Sequence, residues 1–167
     1  LKQRFAEAEP FCRQYAEKMA RLLPAGHPSV PLAWASLAQA LAKQGKLGEA
    51  IVMYRAQVEP LTKAVGADDL NVGTLHGNLG NALVRARRPV EAVPHFERSL
   101  ELRPAADAHY NLAVALLELG RTAEAEQQLG ASVRLEPGLV VAQRRLALLL
   151  AQSGRLEEAA EHLQAIL

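Results

Sequence analysis

The sequence of 167 residues contains few aromatic residues and a single cysteine. Aromatic residues make up 4% of the chain and hydrophobic residues 50%, so a core must be built from alanine and leucine, which are also strong helix formers. Because Cys12 is the only cysteine, an intrachain disulfide and a cysteine-based metal cluster are excluded. A lone cysteine is compatible with a reducing compartment, and the cytoplasm is the favoured location.

Long apolar runs and blocks of like charge are also missing. No stretch of about 18 apolar residues predicts a transmembrane helix, and no charged segment followed by a short apolar one predicts a signal peptide. The 19 basic and 18 acidic side chains are interspersed and leave a formal net charge of +1, so we expect neither a nucleic-acid partner nor a membrane partner. The sequence begins at Leu1 rather than at methionine, and we therefore expect it to be a piece of a longer protein.

The most informative positive feature is a recurring alanine. It appears as Ala8, Ala50, Ala92, Ala125 and Ala159, at spacings of 42, 42, 33 and 34 residues. Recurrence at this period in strongly helical sequence is typical of stacked helix pairs. We number each copy so that this alanine is position 20, and the other landmarks of the copies then align.

Each copy predicts a first helix, a turn and a second helix. Positions 4, 7, 8 and 11 lie on one face of the first helix, because their spacing follows the helical period. In the four copies they are Trp34, Leu37, Ala38 and Leu41; His76, Leu79, Gly80 and Leu83; His109, Leu112, Ala113 and Leu116; and Gln143, Leu146, Ala147 and Leu150. Position 15 is Gly45, Gly120 or Gly154 in three copies, where glycine can end the first helix in a left-handed conformation. Arg87 takes that place in the second copy.

The second helix carries position 20 and, one turn later, a larger residue at position 24. Position 24 is Tyr54, Phe96, Leu129 and Leu163 in the four copies. At the amino end, Ala8, Cys12 and Tyr15 fall at positions 20, 24 and 27, so we expect a lone second helix there, with Cys12 as a small core residue. The predicted helices run over residues 4–23, 31–44, 47–65, 71–86, 89–102, 106–119, 122–135, 139–152 and 156–167, about nine in all.

These landmarks resemble the tetratricopeptide repeat, whose pattern combines a large residue, Leu, a small residue, Gly, Ala, an aromatic residue and Pro. The resemblance implies an all-α fold, an α-solenoid of helix-turn-helix repeats wound as a right-handed superhelix. We expect one array over 1–167: a partial repeat and its connection at 1–30, repeats at 31–72, 73–105 and 106–139, and an incomplete repeat at 140–167. The spacings of 42 residues further resemble the kinesin light chain type of repeat, whose second helix and connection are longer.

In this family the first helices line a concave groove that binds partners, and the resemblance carries several polar residues of this chain into it. The groove residues expected to bind a peptide are Asn78, Asn81, Arg85, Tyr110, Asn111, Arg144 and Arg145. Asn78 and Asn111 share position 6, where an amide can both donate to and accept from the backbone of an extended peptide. An alternative is that asparagine serves only solubility or local bonding there.

A narrower resemblance concerns the carboxylate clamp, by which some members of the family hold the C-terminal carboxylate of heat-shock chaperones. Asn81, Asn111 and Arg145 match three of its five positions, whereas Gly77 and Val141 stand where the clamp needs lysines. The neighbouring Arg85 and Arg144 could supply positive charge. We therefore expect some preference for acidic or carboxylate-bearing segments.

The sequence shows no constellation for catalysis, no metal site and no cofactor motif. His76 and His109 fall at the packing position 4, so they are interpreted as partly buried core residues, while His95 and His162 at position 23 are expected on the surface of second helices. The leading interpretation is a non-catalytic protein-interaction scaffold that binds an extended peptide or a partner helix. Two alternatives are an accessory module of a larger enzyme or signalling protein, and a self-assembly module that forms a homo-oligomer through its end helices, motivated by the leucine-rich last helix.

Overall fold

A computed structural model describes residues 2–166, with side chains described from Ala8 onwards. Over this range the chain is all-α and contains no strand. The helices are α1 (Lys2–Leu22), α2 (Ser29–Gln44), α3 (Leu47–Val65), α4 (Leu70–Arg85), α5 (Pro89–Leu102), α6 (Ala106–Glu118), α7 (Thr122–Leu135), α8 (Val140–Gln152) and α9 (Leu156–Gln164). The predicted helices are confirmed with small shifts at their ends, and the predicted end of the last helix at Leu167 lies outside the described residues.

Two compact units make up the chain, the first ending at Arg103 and the second beginning at Pro104. In the first unit each helix from α1 to α5 packs on the next one along the chain, and α6 to α9 do the same in the second unit. The division falls where the second predicted repeat gives way to the third. Each unit therefore contains complete first-helix and second-helix pairs.

The long type of repeat is visible in the first unit. Its α3 has 19 residues, compared with 14 each in α5 and α7. The connection after α3 is held by Arg98 of α5, which donates from Nη2 to the carbonyl oxygen of Ala67 at 2.9 Å and to Asp68 at 3.1 Å. Asp69 then caps α4 by accepting from the backbone N–H of Asn71 at 2.7 Å. The added residues thus form an ordered segment.

The core follows the predicted landmarks. Position 20 is at most 5% exposed in the four complete pairs, as Ala50, Ala92, Ala125 and Ala159. Tyr54, Phe96 and Leu129 at position 24 are buried as well. In α1 the predicted core residue Cys12 is only partly buried, whereas Ala16 is fully buried and Tyr15 is 52% exposed. In the described structure α1 packs on α2.

Gly80 at position 8 of α4 shows how tightly a helix pair packs. A Cβ atom added to it would lie 2.9–3.0 Å from three ring carbons of Phe96 on α5. The third copy has the opposite combination, with Ala113 at position 8 and the smaller Leu129 at position 24. In the second copy these two positions therefore share one volume between the helices, whereas the first copy buries Ala38 together with the ring of Tyr54.

We predict that Gly80→Ala lowers the free energy of unfolding by about 1–3 kcal/mol through overpacking, although alanine is the better helix former. The double variant Gly80→Ala with Phe96→Leu should regain most of this loss, because it recreates the Ala113–Leu129 combination. Denaturant unfolding of the two single variants and the double variant measures the coupling. Strictly additive effects would contradict the shared volume.

The turns between paired helices confirm the glycine prediction and reveal one strained residue. Gly45, Gly120 and Gly154 have φ of 94°, 74° and 81°. Arg87, at the same place in the second copy, has φ of 60° and is the non-glycine residue with positive φ in the described range. For an L-residue this conformation costs roughly 1–2 kcal/mol.

Arg87→Gly should therefore raise the free energy of unfolding by up to about 1 kcal/mol. The relief of the backbone strain exceeds this value, and the loss of the side-chain interaction of Arg87 cancels part of it. Gly120→Ala is the reciprocal control and should lower the free energy of unfolding by about 1 kcal/mol. A Cβ at Gly120 meets no atom within 4 Å, so its cost is that of the backbone alone. Urea unfolding of both variants checks the pair, and a destabilised Arg87→Gly protein would contradict the argument.

Candidate functional site

Three of the predicted groove residues lie on α4 in the first unit. Asn78, Asn81 and Arg85 follow the spacing i, i+3, i+7, which places them on one face of the helix. Both asparagines are half-buried and Arg85 is exposed. Within the described part of the chain, none of the three side chains has a hydrogen bond or an ion pair with another residue. Their donors and acceptors are thus available to a partner.

The other four predicted residues lie in the second unit, and the structure brings three of them together. Tyr110 on α6 and Arg144 and Arg145 on α8 line a surface cavity of about 510 Å³. The remaining lining residues are Val141, Ala147, Leu148 and Ala151 of α8, and Ala159 and Leu163 of α9. Asn111 follows Tyr110 on α6, is half-buried, and does not line this cavity. The contribution of α9 was not foreseen from the sequence.

The lining of this cavity contains two arginines and no acidic residue. Arg121 pairs with Glu124, and Arg155 pairs with Glu126 and Glu158. Arg144 and Arg145 have no ion pair among the described residues, and the lining contains no carboxylate. Two positive charges therefore face an otherwise apolar cavity without an internal counter-charge.

Gly77 does not take the role that the clamp comparison assigns to its position. A Cβ at Gly77 would lie 3.0 Å from Oγ of Ser99 on α5, so this position faces the second helix of its own pair. Any side chain at this position would therefore have to be accommodated beside Ser99.

A series of polar pairs joins the first and second helices of three copies. His76 and His95 approach through their Nδ1 atoms at 2.9 Å, His109 Nδ1 and Gln128 Oε1 lie 2.7 Å apart, and Gln143 Oε1 and His162 Nδ1 lie 2.7 Å apart. Each pair joins position 4 to position 23. The partial burial of His76 and His109 is confirmed, but the surface placement of His95 and His162 is wrong, because both are half-buried in these pairs.

The first copy has apolar residues at the same two positions. Trp34 and Met53 line a cavity of about 600 Å³ in the first unit, together with Val52 and Ala56 of α3. Sequence reasoning treated Trp34 only as a packing residue. One signal in the sequence could have revealed this cavity: positions 4 and 23 are both apolar in the first copy and both polar in the other three copies.

Burial and the positive charge of His95 lower the pKa of His76 to about 4, with a smaller effect from Arg98. Burial and the charge of Arg55 also lower the pKa of His95, against an opposing effect of Glu91. In the neutral pair one Nδ1–H donates and the other Nδ1 accepts. Protonation of both rings removes the acceptor and places two cations side by side.

The sign of the pH dependence follows from these lowered pKa values. The unfolded chain takes up protons at the histidine value of 6.5 whereas folded His76 takes one up near 4, so stability falls as the pH falls through this range. His95→Gln recreates the His109–Gln128 pair and should make the loss of stability between pH 7 and pH 4.5 smaller. Urea midpoints of wild type and variant at the two pH values measure it. Equal losses in both proteins would contradict a role for this pair.

With this geometry established, comparison with known proteins identifies the family. Three models described as tetratricopeptide repeat match residues 29–105, 78–140 and 140–165. The chain belongs to the tetratricopeptide repeat family. The predicted fold class and family are therefore confirmed.

Solved structures share the tetratricopeptide fold along nearly the whole chain. Nearly identical TPR-like repeats of the kinesin light chain type from Podosopora anserina have a TM-score of 0.80 and 21% identity, covering 98% of this chain and 87% of that one. BtubC (BKLC) from P. vanneervenii has a TM-score of 0.83 and 16% identity, covering 96% and 70%. A MamA structure from Desulfovibrio magneticus RS-1 has a TM-score of 0.70 and 17% identity, covering 93% and 91%. These likenesses establish a common architecture.

Tetratricopeptide repeats generally serve as non-catalytic scaffolds for protein–protein interaction. In the range that the structure describes, no three His, Cys, Asp or Glu side chains are grouped so that they could hold a metal ion. Among the same residues, no helix has the length and apolar character needed to span a membrane.

Proposed function

We propose that the second unit binds an acidic segment of a partner protein in the cavity between α6, α8 and α9. The observation that supports this most is the pair Arg144 and Arg145, which line one cavity and lack an ion pair in the described chain. A guanidinium offers planar N–H donors that match a carboxylate, and such charge-assisted bonds are stronger than neutral ones. A side-chain carboxylate or a C-terminal carboxylate fits this requirement.

The remaining lining specifies what accompanies the acidic group. Val141, Leu148 and Leu163 present apolar surface, and the last two are 51% and 46% exposed. The Tyr110 hydroxyl adds a group that can donate or accept a hydrogen bond. The preferred segment therefore places an aliphatic side chain next to aspartate or glutamate.

Asparagine side chains are proposed to hold the backbone of a bound segment in each unit. Asn111 lies beside Tyr110 on α6, and Asn78 and Asn81 share a face of α4. All three amides lack a partner in the described structure and are partly accessible. Because an amide both donates and accepts, it can pair with a peptide group whatever the side chain of that residue.

A direct test measures binding of a fluorescein-labelled peptide of alternating glutamate and leucine by fluorescence anisotropy. The double variant Arg144→Ala with Arg145→Ala should weaken binding at least about tenfold, corresponding to about 1.4 kcal/mol, because two charge-assisted bonds are lost. Binding to the wild type should also weaken as salt is added.

Arg134→Ala is the matched control, since Arg134 is an exposed arginine of α7 that lies outside the cavity lining. It should leave the affinity unchanged. A counterpart peptide of lysine and leucine should bind weakly to all three proteins. Equal affinity of wild type and the double arginine variant for the acidic peptide would refute the proposed site.

A further inference from the structure

Two cavities of the first unit meet at Trp34. One, of about 600 Å³, is lined by residues of α1, α2 and α3. The other, of about 640 Å³, lies where the end of α1, its connection to α2 and the second half of α3 come together. Trp34 of α2 and Gln57 of α3 line both cavities. The two cavities therefore form one groove, the Trp34 groove, whose lining on α3 runs from Gly48 to Lys63.

The Trp34 groove is open at a place that the second copy fills with its own side chain. Arg98 at position 26 reaches from α5 to the connection before α4, where it donates to the carbonyl oxygen of Ala67 at 2.9 Å. In the first copy position 26 is Ala56, and Ala25 corresponds to Ala67. Ala56 lines one cavity and Ala25 the other. The short side chain at position 26 thus leaves this space to an external group.

The polar groups of the groove supply N–H donors. Neither the indole of Trp34 nor the amide of Gln57 has a hydrogen bond with another described residue. No buried side-chain nitrogen or oxygen in the described chain lacks a partner, so both groups must reach solvent. His27 accepts from the backbone N–H of Ser29 through Nδ1 at 3.2 Å, which places the proton of the neutral ring on Nε2. The ring of His27 therefore offers a third donor.

The charges of the groove balance, and its walls are apolar. Each cavity has one basic and one acidic lining residue: Arg13 and Glu49 in one, Lys63 and Glu59 in the other. Lys63 and Glu59 also pair with each other at 2.6 Å. The groove therefore favours a ligand without net charge. The exposed apolar residues of its walls are Ala20, Pro24, Val52, Ala56 and Pro60.

From this combination we infer that the Trp34 groove binds an uncharged, proline-rich segment of a partner protein in the polyproline II conformation. Proline lacks a backbone N–H, so such a segment presents carbonyl acceptors without competing donors, which matches the donors of the groove. Its rings pack on an aromatic surface, as in other grooves that recognise polyproline II. The lining from Gly48 to Lys63 spans about 22 Å of helix, which accommodates about seven polyproline II residues. The groove shares no residue with the cavity proposed to bind acidic segments.

The fluorescence of Trp34 tests the inference directly, because it is the only tryptophan of the sequence. Titration with decaproline should change the emission of wild type in a saturable manner that is insensitive to salt, since no ion pair forms. A peptide of ten alternating alanine and glutamine residues has backbone N–H groups and lacks the fixed φ of proline, so it should bind at least about tenfold more weakly. No response to decaproline, or equal affinity for the two peptides, would overturn the inference.

Two exposed valines provide a matched pair of variants. Val52 on the groove wall is 70% exposed, and Val90 on α5, outside both cavity linings, is 72% exposed. Val52→Glu should weaken decaproline binding at least about tenfold, because it sets a charge against an apolar ligand. Val90→Glu should leave the affinity unchanged, and the circular dichroism of both variants should match wild type. Equal affinities of the two variants would refute the location of the site.

Two further variants examine the open place and the indole. Ala56→Arg recreates the arrangement of Arg98 and should weaken decaproline binding at least about tenfold without lowering the free energy of unfolding, because an arginine then crosses the groove. Trp34→Phe keeps an aromatic ring but removes the N–H, and should weaken binding several-fold. Anisotropy of fluorescein-labelled decaproline measures this variant. Wild-type affinity of Ala56→Arg would overturn the groove as the site, and wild-type affinity of Trp34→Phe would overturn the role of the indole N–H.

The two peptides separate this inference from the proposed function. The peptide of glutamate and leucine should leave the emission of Trp34 unchanged, and Arg144→Ala with Arg145→Ala should bind decaproline as tightly as wild type does. Loss of decaproline binding in that double variant would place the peptide in the cavity of the second unit and overturn the inference. Loss of acidic-peptide binding alone would leave the Trp34 groove unaffected.

Discussion

The close approach of two helices at one small residue is the constraint on which the rest of the structure depends. Position 20 is alanine in every pair, and the residues at positions 8 and 24 fill the volume beside it. In the second copy the ring of Phe96 takes space that elsewhere belongs to a methyl group, and Gly80 compensates. Because interiors are close-packed, a pair that loses this match must separate, and every surface built on the pair then moves with it.

This packing also decides which side chains remain available for binding. The face of a first helix that carries positions 7, 8 and 11 is committed to the core, and position 4 is committed in three copies to a polar pair with position 23. Polar residues on the remaining face, such as Asn78 and Arg145, make no hydrogen bond or ion pair with another described residue. The proposed binding therefore uses the part of the repeat pattern that the fold leaves free.

Periodicity predicted the helices, their turns and the core at positions 7, 20 and 24, because these depend on spacing within one helix and on glycine at a turn. Contacts between helices were harder to foresee. The polar pairs join residues 19 apart, and their signal was the recurrence of His or Gln at both positions 4 and 23. The share of α9 in the cavity depends on how it packs on α8, which no single-helix pattern contains.

Ion pairing separates the two kinds of helix surface. Second helices begin with Arg88–Glu91, Arg121–Glu124 and Arg155–Glu158, a pair that recurs at positions 16 and 19. Arg55–Glu91 and Arg155–Glu126 extend the pairing between neighbouring second helices of a unit. Each exposed pair contributes little to stability, but together they engage Arg55, Arg88, Arg121 and Arg155 with internal partners. On α8, by contrast, Arg144 and Arg145 have no carboxylate partner in the described structure, so the selectivity proposed for acidic segments would arise from the charges that the fold leaves unpaired.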